Sequence, residues 1–202
     1  MLKKPLFFVT LALFTLSVRA QTYQLDVKKS KILWDTRKVV GQHQGDILFK
    51  SGVLNNVVGG RPDNGTFVID MNTMRSTDRK KKSENNKVDR EMRTPGFFDV
   101  KKHPTAAMTV KSVTYSAGTI YKVTGDLTIK GITHPIAFDA DIQTNADQLT
   151  TKADIAFDRE KWEIDFQQKK KDWNFFDAIK NQAVANMIAV KLDLVFNKQV
   201  AR

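Results

Sequence analysis

Residues 121–142 read YKVTGDLTIKGITHPIAFDADI, and the period of this stretch decides the fold. Tyr121, Val123, Leu127 and Ile129 alternate with Lys122, Thr124, Asp126 and Thr128. After an interruption, Ile136, Phe138, Ala140 and Ile142 alternate with Ala137, Asp139 and Asp141. Successive side chains of a strand point to opposite faces, so each run has one apolar and one polar face. Two half-buried antiparallel strands follow from that pattern, with residues 131–135 as the turn between them.

The same alternation extends outward in both directions. Tyr23, Leu25 and Val27 show it, as do Phe67, Ile69 and Met71, with Val68 out of phase. Ala153, Ile155 and Phe157 form another run, and Val190, Leu192, Leu194 and Phe196 the last. Residues 31–40, 45–53 and 106–115 are noisier candidates, which brings the expected count to eight or nine strands. Residues 55–65, rich in Gly and Asn with Pro62, read as a long hairpin loop, and residues 116–118 as a short one. Two segments break the rhythm. Residues 76–98 are polar and open with a basic run, with a short helix expected at 87–93; residues 172–187 are mixed, with helix expected near 176–180.

Many short strands without a βαβ rhythm mean a sandwich or a barrel. A closed barrel removes sheet edges that would otherwise invite aggregation, and eight strands enclose an interior that side chains fill or one ligand occupies. The expected class is therefore all-β, an antiparallel barrel of eight or slightly more strands with a short helix in the 76–98 insertion. An outer-membrane barrel shows the same alternation turned inside out. The two irregular insertions, and a C-terminus at 198–202 without a terminal aromatic strand, argue against it.

Composition narrows the function. The 202 residues are 41% hydrophobic and 27% charged with 10 Gly and 5 Pro, which is globular and not collagenous or disordered. With no Cys, disulfides, thiolate metal sites, a cysteine nucleophile and a lipoprotein anchor are excluded. Lys3 and Lys4, then the 13-residue apolar run 6–18, then Arg19-Ala20, have the three-part layout of a secretory signal peptide. Cleavage is expected after Ala20, leaving residues 21–202 as one domain, periplasmic or secreted. The formal net charge of +11 falls to +8 once Lys3, Lys4 and Arg19 leave. An exported basic protein is expected to meet anionic lipids, glycans or head groups, not nucleic acid.

Catalytic chemistry is sparse. The three histidines, His43, His103 and His134, have no metal-ligand spacing, and there is no Gly-x-Ser-x-Gly elbow. Asp158 and Glu160 share a strand face, where salt bridges are the ordinary use of such a pair. The basic runs 79–82 and 169–171 are either solvated loops or an anion-attracting rim. Ten Phe remain after the leader, with Trp34, Trp162 and Trp173, and these fill a core or line a cavity. No cofactor, metal or catalytic residue is expected.

Several segments carry a family resemblance. They are Tyr23 to Asp26 with Ser30 to Trp34, Val39 to Gly45, Val68 to Asp78, and Pro95 to Asp99 with His103-Pro104. The closest is Val123 to Pro135, with Gly125-Asp126-Leu127-Thr128, Gly131, Thr133 and Pro135 at the family spacing; Phe157-Asp158-Arg159 follows. In this order they resemble the YceI-like proteins, from about Tyr23 to Phe196. The resemblance implies a lipocalin-like barrel, an exported carrier, and an apolar tunnel for an isoprenoid lipid such as a quinone or prenyl phosphate. Trp34, Phe67, Ile69, Met71, Ile155, Phe157, Leu192 and Leu194 would then face the lipid, with Phe97 and Phe98 capping one end. His43, Arg90 and Arg159 would meet the head group, although Asp89 and Glu91, and Asp158 and Glu160, stand beside the two arginines as ordinary partners. Departures are present: Val88 to Met92 lacks the family's helix histidine, residues 80–86 are extra length, and Phe175-Phe176-Asp177 resembles a variant ending. The competing classes are an exported enzyme acting on lipid or envelope material and a filled barrel acting through its basic loops. The basic loops also suggest contact with an anionic membrane surface. The sequence leaves the oligomeric state open, a dimer included.

Overall fold

The computed structural model describes residues 21–36, 43–145, 147–164 and 186–199. The expected leader, the 169–171 basic run, Trp173, Phe175-Phe176-Asp177 and the 176–180 helix expectation lie outside the described residues. Nine strands follow in order: β1 (Gln21–Leu25), β2 (Lys31–Thr36), β3 (His43–Val57), β4 (Asn64–Ser76), β5 (Thr105–Ala117), β6 (Ile120–Ile129), β7 (Ile132–Asn145), β8 (Gln148–Asp158) and β9 (Met187–Lys198). Helix α1 (Lys82–Met92) stands between β4 and β5, and a 3-10 turn (Arg159–Trp162) follows β8.

All pairings are antiparallel, in the order β1-β3-β2-β9-β8-β7-β6-β5-β4, and β3 also pairs with β4, so the sheet closes. Eight positions make the ring although there are nine strands. β1 and β2 both lie between β3 and β9 and run in the same direction, β1 against Val53–Val57 and Phe196–Lys198, β2 against His43–Ile47 and Ile188–Asp193. They are one strand broken at residues 26–30. Ser30 mends the break: its hydroxyl accepts the Val195 N–H at 3.0 Å, in place of the carbonyl a continuous strand would offer.

The deciding stretch folds as its period requires, with one correction. Ile129 pairs with Ile132, so the turn is only Lys130-Gly131, both at positive φ (53° and 75°), a type I′ hairpin. His134 and Pro135 belong to β7, where Pro135 sits opposite Asp126 on a part of the strand that β8 does not pair. Proline is tolerated at such an edge because no ladder bond is asked of its nitrogen. The noise in 45–53 and 106–115 has a cause: one-residue bulges in β3 between Phe49 and Ser51 and in β5 between Val110 and Ser112. Each bulge slips the inward phase by one residue. Helix α1 begins earlier than the expected 87–93 and absorbs part of the extra length. Its sequence hides it, since Val88 and Met92, four apart on one face, are its only large apolar residues.

Candidate functional site

Inward-facing side chains of β2 to β9 enclose a cavity of about 200 Å³. It is somewhat larger than the roughly 150 Å³ apolar cavity that, in an engineered protein, stays dry and admits benzene. Apart from Thr36 and Thr151, every lining residue is apolar. The Thr36 hydroxyl is engaged, donating to the His43 carbonyl at 3.2 Å and accepting the His43 N–H at 3.1 Å. Ile136, Phe138, Ile155, Val190 and Leu192 line the cavity and are only half-buried. At one end Phe67 packs between Phe49 and Phe196, with ring centroids 6.1 and 5.9 Å away.

Helix α1 and the segment after it cover the other end, through Met92 and Phe98. Three bonds seat this cover on β4. The Asp89 carboxylate accepts the Ser76 N–H at 2.6 Å, and Arg93 donates to the carbonyls of Asn72 at 3.1 Å and Met74 at 2.7 Å. A buried carboxylate is tolerable there because the strand's otherwise orphaned N–H points at it. The rim outside the cover is basic: residues 77–104 hold nine Lys and Arg against five acids. Beside it on the wall, Arg75 lies against Asp46, 2.9 Å between Nη2 and Oδ2; the hydrogen bond and the charge of Asp46 raise the arginine's pKa still further.

Of the residues expected to face a ligand, Trp34, Phe67, Ile69, Met71, Phe98, Ile155, Phe157, Leu192 and Leu194 line the cavity. Phe97 does not; it is buried in the core beside its neighbour. The three polar candidates gather at the α1 end but none lines the cavity. His43 Nδ1 is 3.1 Å from Asp78 Oδ2, which Arg79 also contacts at 3.1 Å. Arg90 is exposed on α1. Arg159 is buried, and its guanidinium donates to the Ile164 carbonyl and, at 2.9 Å, to Asn186 Oδ1. That differs from the expected carboxylate partners, Asp158 and Glu160: Arg159 braces a carbonyl and an amide side chain. Lining residues missed in the sequence include Met74, Met92 and Met108. Met74 lies in the stretch of β4 that carries extra residues opposite Asp46–Leu48, Met92 sits on a helix, and Met108 falls in a run too noisy to phase. Among the described residues, no three His, Asp or Glu stand where a metal ion would be held.

Comparison with known proteins agrees with this geometry. A family model described as the YceI-like domain matches residues 23–196. No curated protein matches significantly. Solved structures do. One is BcnA of Burkholderia cenocepacia, with a TM-score of 0.62 and 18% identity over 85% of this chain and 98% of that one. A polyisoprenoid binding domain from Saccharophagus degradans, implicated in plant cell wall breakdown, gives 0.60 and 14% over 89% and 99%. The YceI protein of Campylobacter jejuni gives 0.53 and 18% over 70% and 75%.

Proposed function

Because the chain belongs to the YceI-like family, we propose that it is a carrier that holds the apolar chain of an isoprenoid lipid inside its barrel. The observation that carries this reading is the hollow itself: a closed wall, apolar but for two threonines, leaves space that packing would otherwise fill. The polyisoprenoid binding domain among its structural neighbours supports the same ligand class. Trp34, Phe67, Ile69, Met71, Phe98, Ile155, Phe157, Leu192 and Leu194 would touch the chain, and each methylene removed from water contributes about 0.8 kcal/mol. Phe97 supports the cap from behind. The head group would lie at the α1 end, with Arg90 at the rim, while His43 pairs with Asp78 and Arg159 holds Ile164 and Asn186. No catalysis is part of this reading.

The basic rim would set the barrel against an anionic membrane, where each lysine near the surface contributes about 1 kcal/mol. Residues 1–20 would act as the export leader, which places the mature protein, residues 21–202, in the periplasm or outside the cell. Titration of delipidated protein with prenyl alcohols of rising length tests the proposal. Affinity that climbs with chain length until the hollow is filled supports a tail-holding carrier; affinity indifferent to length contradicts it.

A further inference from the structure

The β7–β8 ladder stops short of the α1 end. Residues 140–145 of β7 pair with 148–153 of β8, whereas, among the described residues, 132–139 pair only with β6 and 154–158 only with β9. The wall therefore parts into a seam from mid-barrel to that end. Cavity-lining side chains stand on both banks, Ile136 and Phe138 on β7, Ile155 and Phe157 on β8.

The 3-10 turn after β8 fills the seam. Its Trp162 is 1% exposed and meets Phe157 on one bank and His134 on the other edge-to-face, with ring centroids 5.1 Å apart in both cases. Three side-chain-to-backbone bonds fasten the plug to the β6–β7 hairpin. Trp162 Nε1 donates to the Leu127 carbonyl at 3.2 Å and Lys130 Nζ to the Glu163 carbonyl at 2.6 Å; His134 Nε2 lies 2.8 Å from the Lys161 carbonyl. Glu163 ends the turn at φ 52°, a conformation that non-glycine residues adopt at a cost. The contrast with the other cover is informative. Helix α1 is held by a buried carboxylate, whereas two of the plug's three fastenings are solvent-exposed. Parting a strand ladder breaks a bond at every second residue along its length; swinging the plug off the β6–β7 hairpin breaks three side-chain bonds and unseats one ring, while Arg159 keeps the base of the turn tied to Ile164 and Asn186.

We propose that the seam is a lateral portal, plugged by Trp162, through which a flexible apolar chain passes between the cavity and the exterior while α1 stays seated. This rests on the carrier reading above. The test uses retinol, a fluorescent isoprenoid alcohol, with stopped-flow association and dissociation and equilibrium titration of the full mature chain. Trp162→Ala removes the plug. Lys130→Met removes one exposed fastening and leaves the core intact, so it decides the matter if Trp162→Ala does not fold.

In Lys130→Met both rate constants should rise together by roughly two- to tenfold, the worth of one such hydrogen bond. The dissociation constant should stay within about twofold, because a freed path speeds both directions alike. Unchanged rates with affinity retained would overturn the portal and leave the carrier standing. A faster dissociation with unchanged association would also overturn it, since that marks weaker holding. A wild-type protein that takes up no retinol would overturn the carrier reading, and the portal with it.

Discussion

Asp26 stands at the break between β1 and β2, and its carboxylate Oδ1 accepts the N–H groups of Lys28 and Lys29, each at 3.2 Å. Desolvation pushes its pKa up, but the Lys29 and Lys28 N–H groups, Asn197 and the Lys29 charge outweigh it and hold the group below the usual 3.8. A lowered carboxylate pKa stabilises the fold fully above the unfolded-state value and loses that stabilisation as pH falls through the folded-state value. Thermal melts of Asp26→Asn should therefore lie below wild type at neutral pH and converge with it in the acid range beneath 3.8. Gly125 makes a steric prediction: a Cβ there would come within 2.2 Å of the Thr109 carbonyl oxygen and 2.6 Å of Met108 Cε. Gly125→Ala is expected to cost roughly 1–3 kcal/mol in urea unfolding, the usual penalty of overpacking. Phe67, 7% exposed and central to the ring cluster, sets the faces of the wall. Phe67→Asp buries an unpaired charge and should abolish lipid binding and soluble folding together; a soluble, loaded variant would contradict the assigned faces.

Elements differ in how plainly their sequences announce them. β6 and β7 were legible because nothing interrupts their alternation but a two-residue turn. β3 was blurred by its bulge at Phe49–Ser51, which changes the inward phase without leaving a residue type that marks it. Helix α1 was half visible: a mostly polar segment reads as loop until the Val88–Met92 spacing is matched to a surface that receives it. The direction of a long polar side chain is not written in any period. Arg90 and Arg159 were paired by resemblance, yet one is exposed on α1 and the other braces Ile164 and Asn186. Arg159→Ala should therefore act on the 3-10 turn. It removes a buried, charge-assisted brace, and a loss of roughly 2–4 kcal/mol is expected in denaturant melts. Arg90→Ala, at a solvent-facing position, should leave stability within about 0.5 kcal/mol.

At the scale of the whole molecule, the sequence shows an apolar inner face but not whether that face meets itself. A filled barrel and a hollow one carry the same alternation, and the difference lies in how residues far apart in the sequence approach across the ring. Here β7, β8 and β9 leave Ile136, Phe138, Ile155 and Leu192 facing open space, with α1 over one end and Phe49, Phe67 and Phe196 packed at the other. An apolar hollow of this kind lowers stability unless something occupies it, since its lining atoms lack partners on one side. The account's central claim is that a long apolar lipid is that occupant. Mass spectrometry of an organic extract from the natively purified protein tests it most directly. The account predicts a co-purified isoprenoid lipid in near-stoichiometric amount, depleted from any folded variant that closes the hollow. Protein that emerges lipid-free from a lipid-replete host, and takes up no isoprenoid when offered it, would contradict the claim.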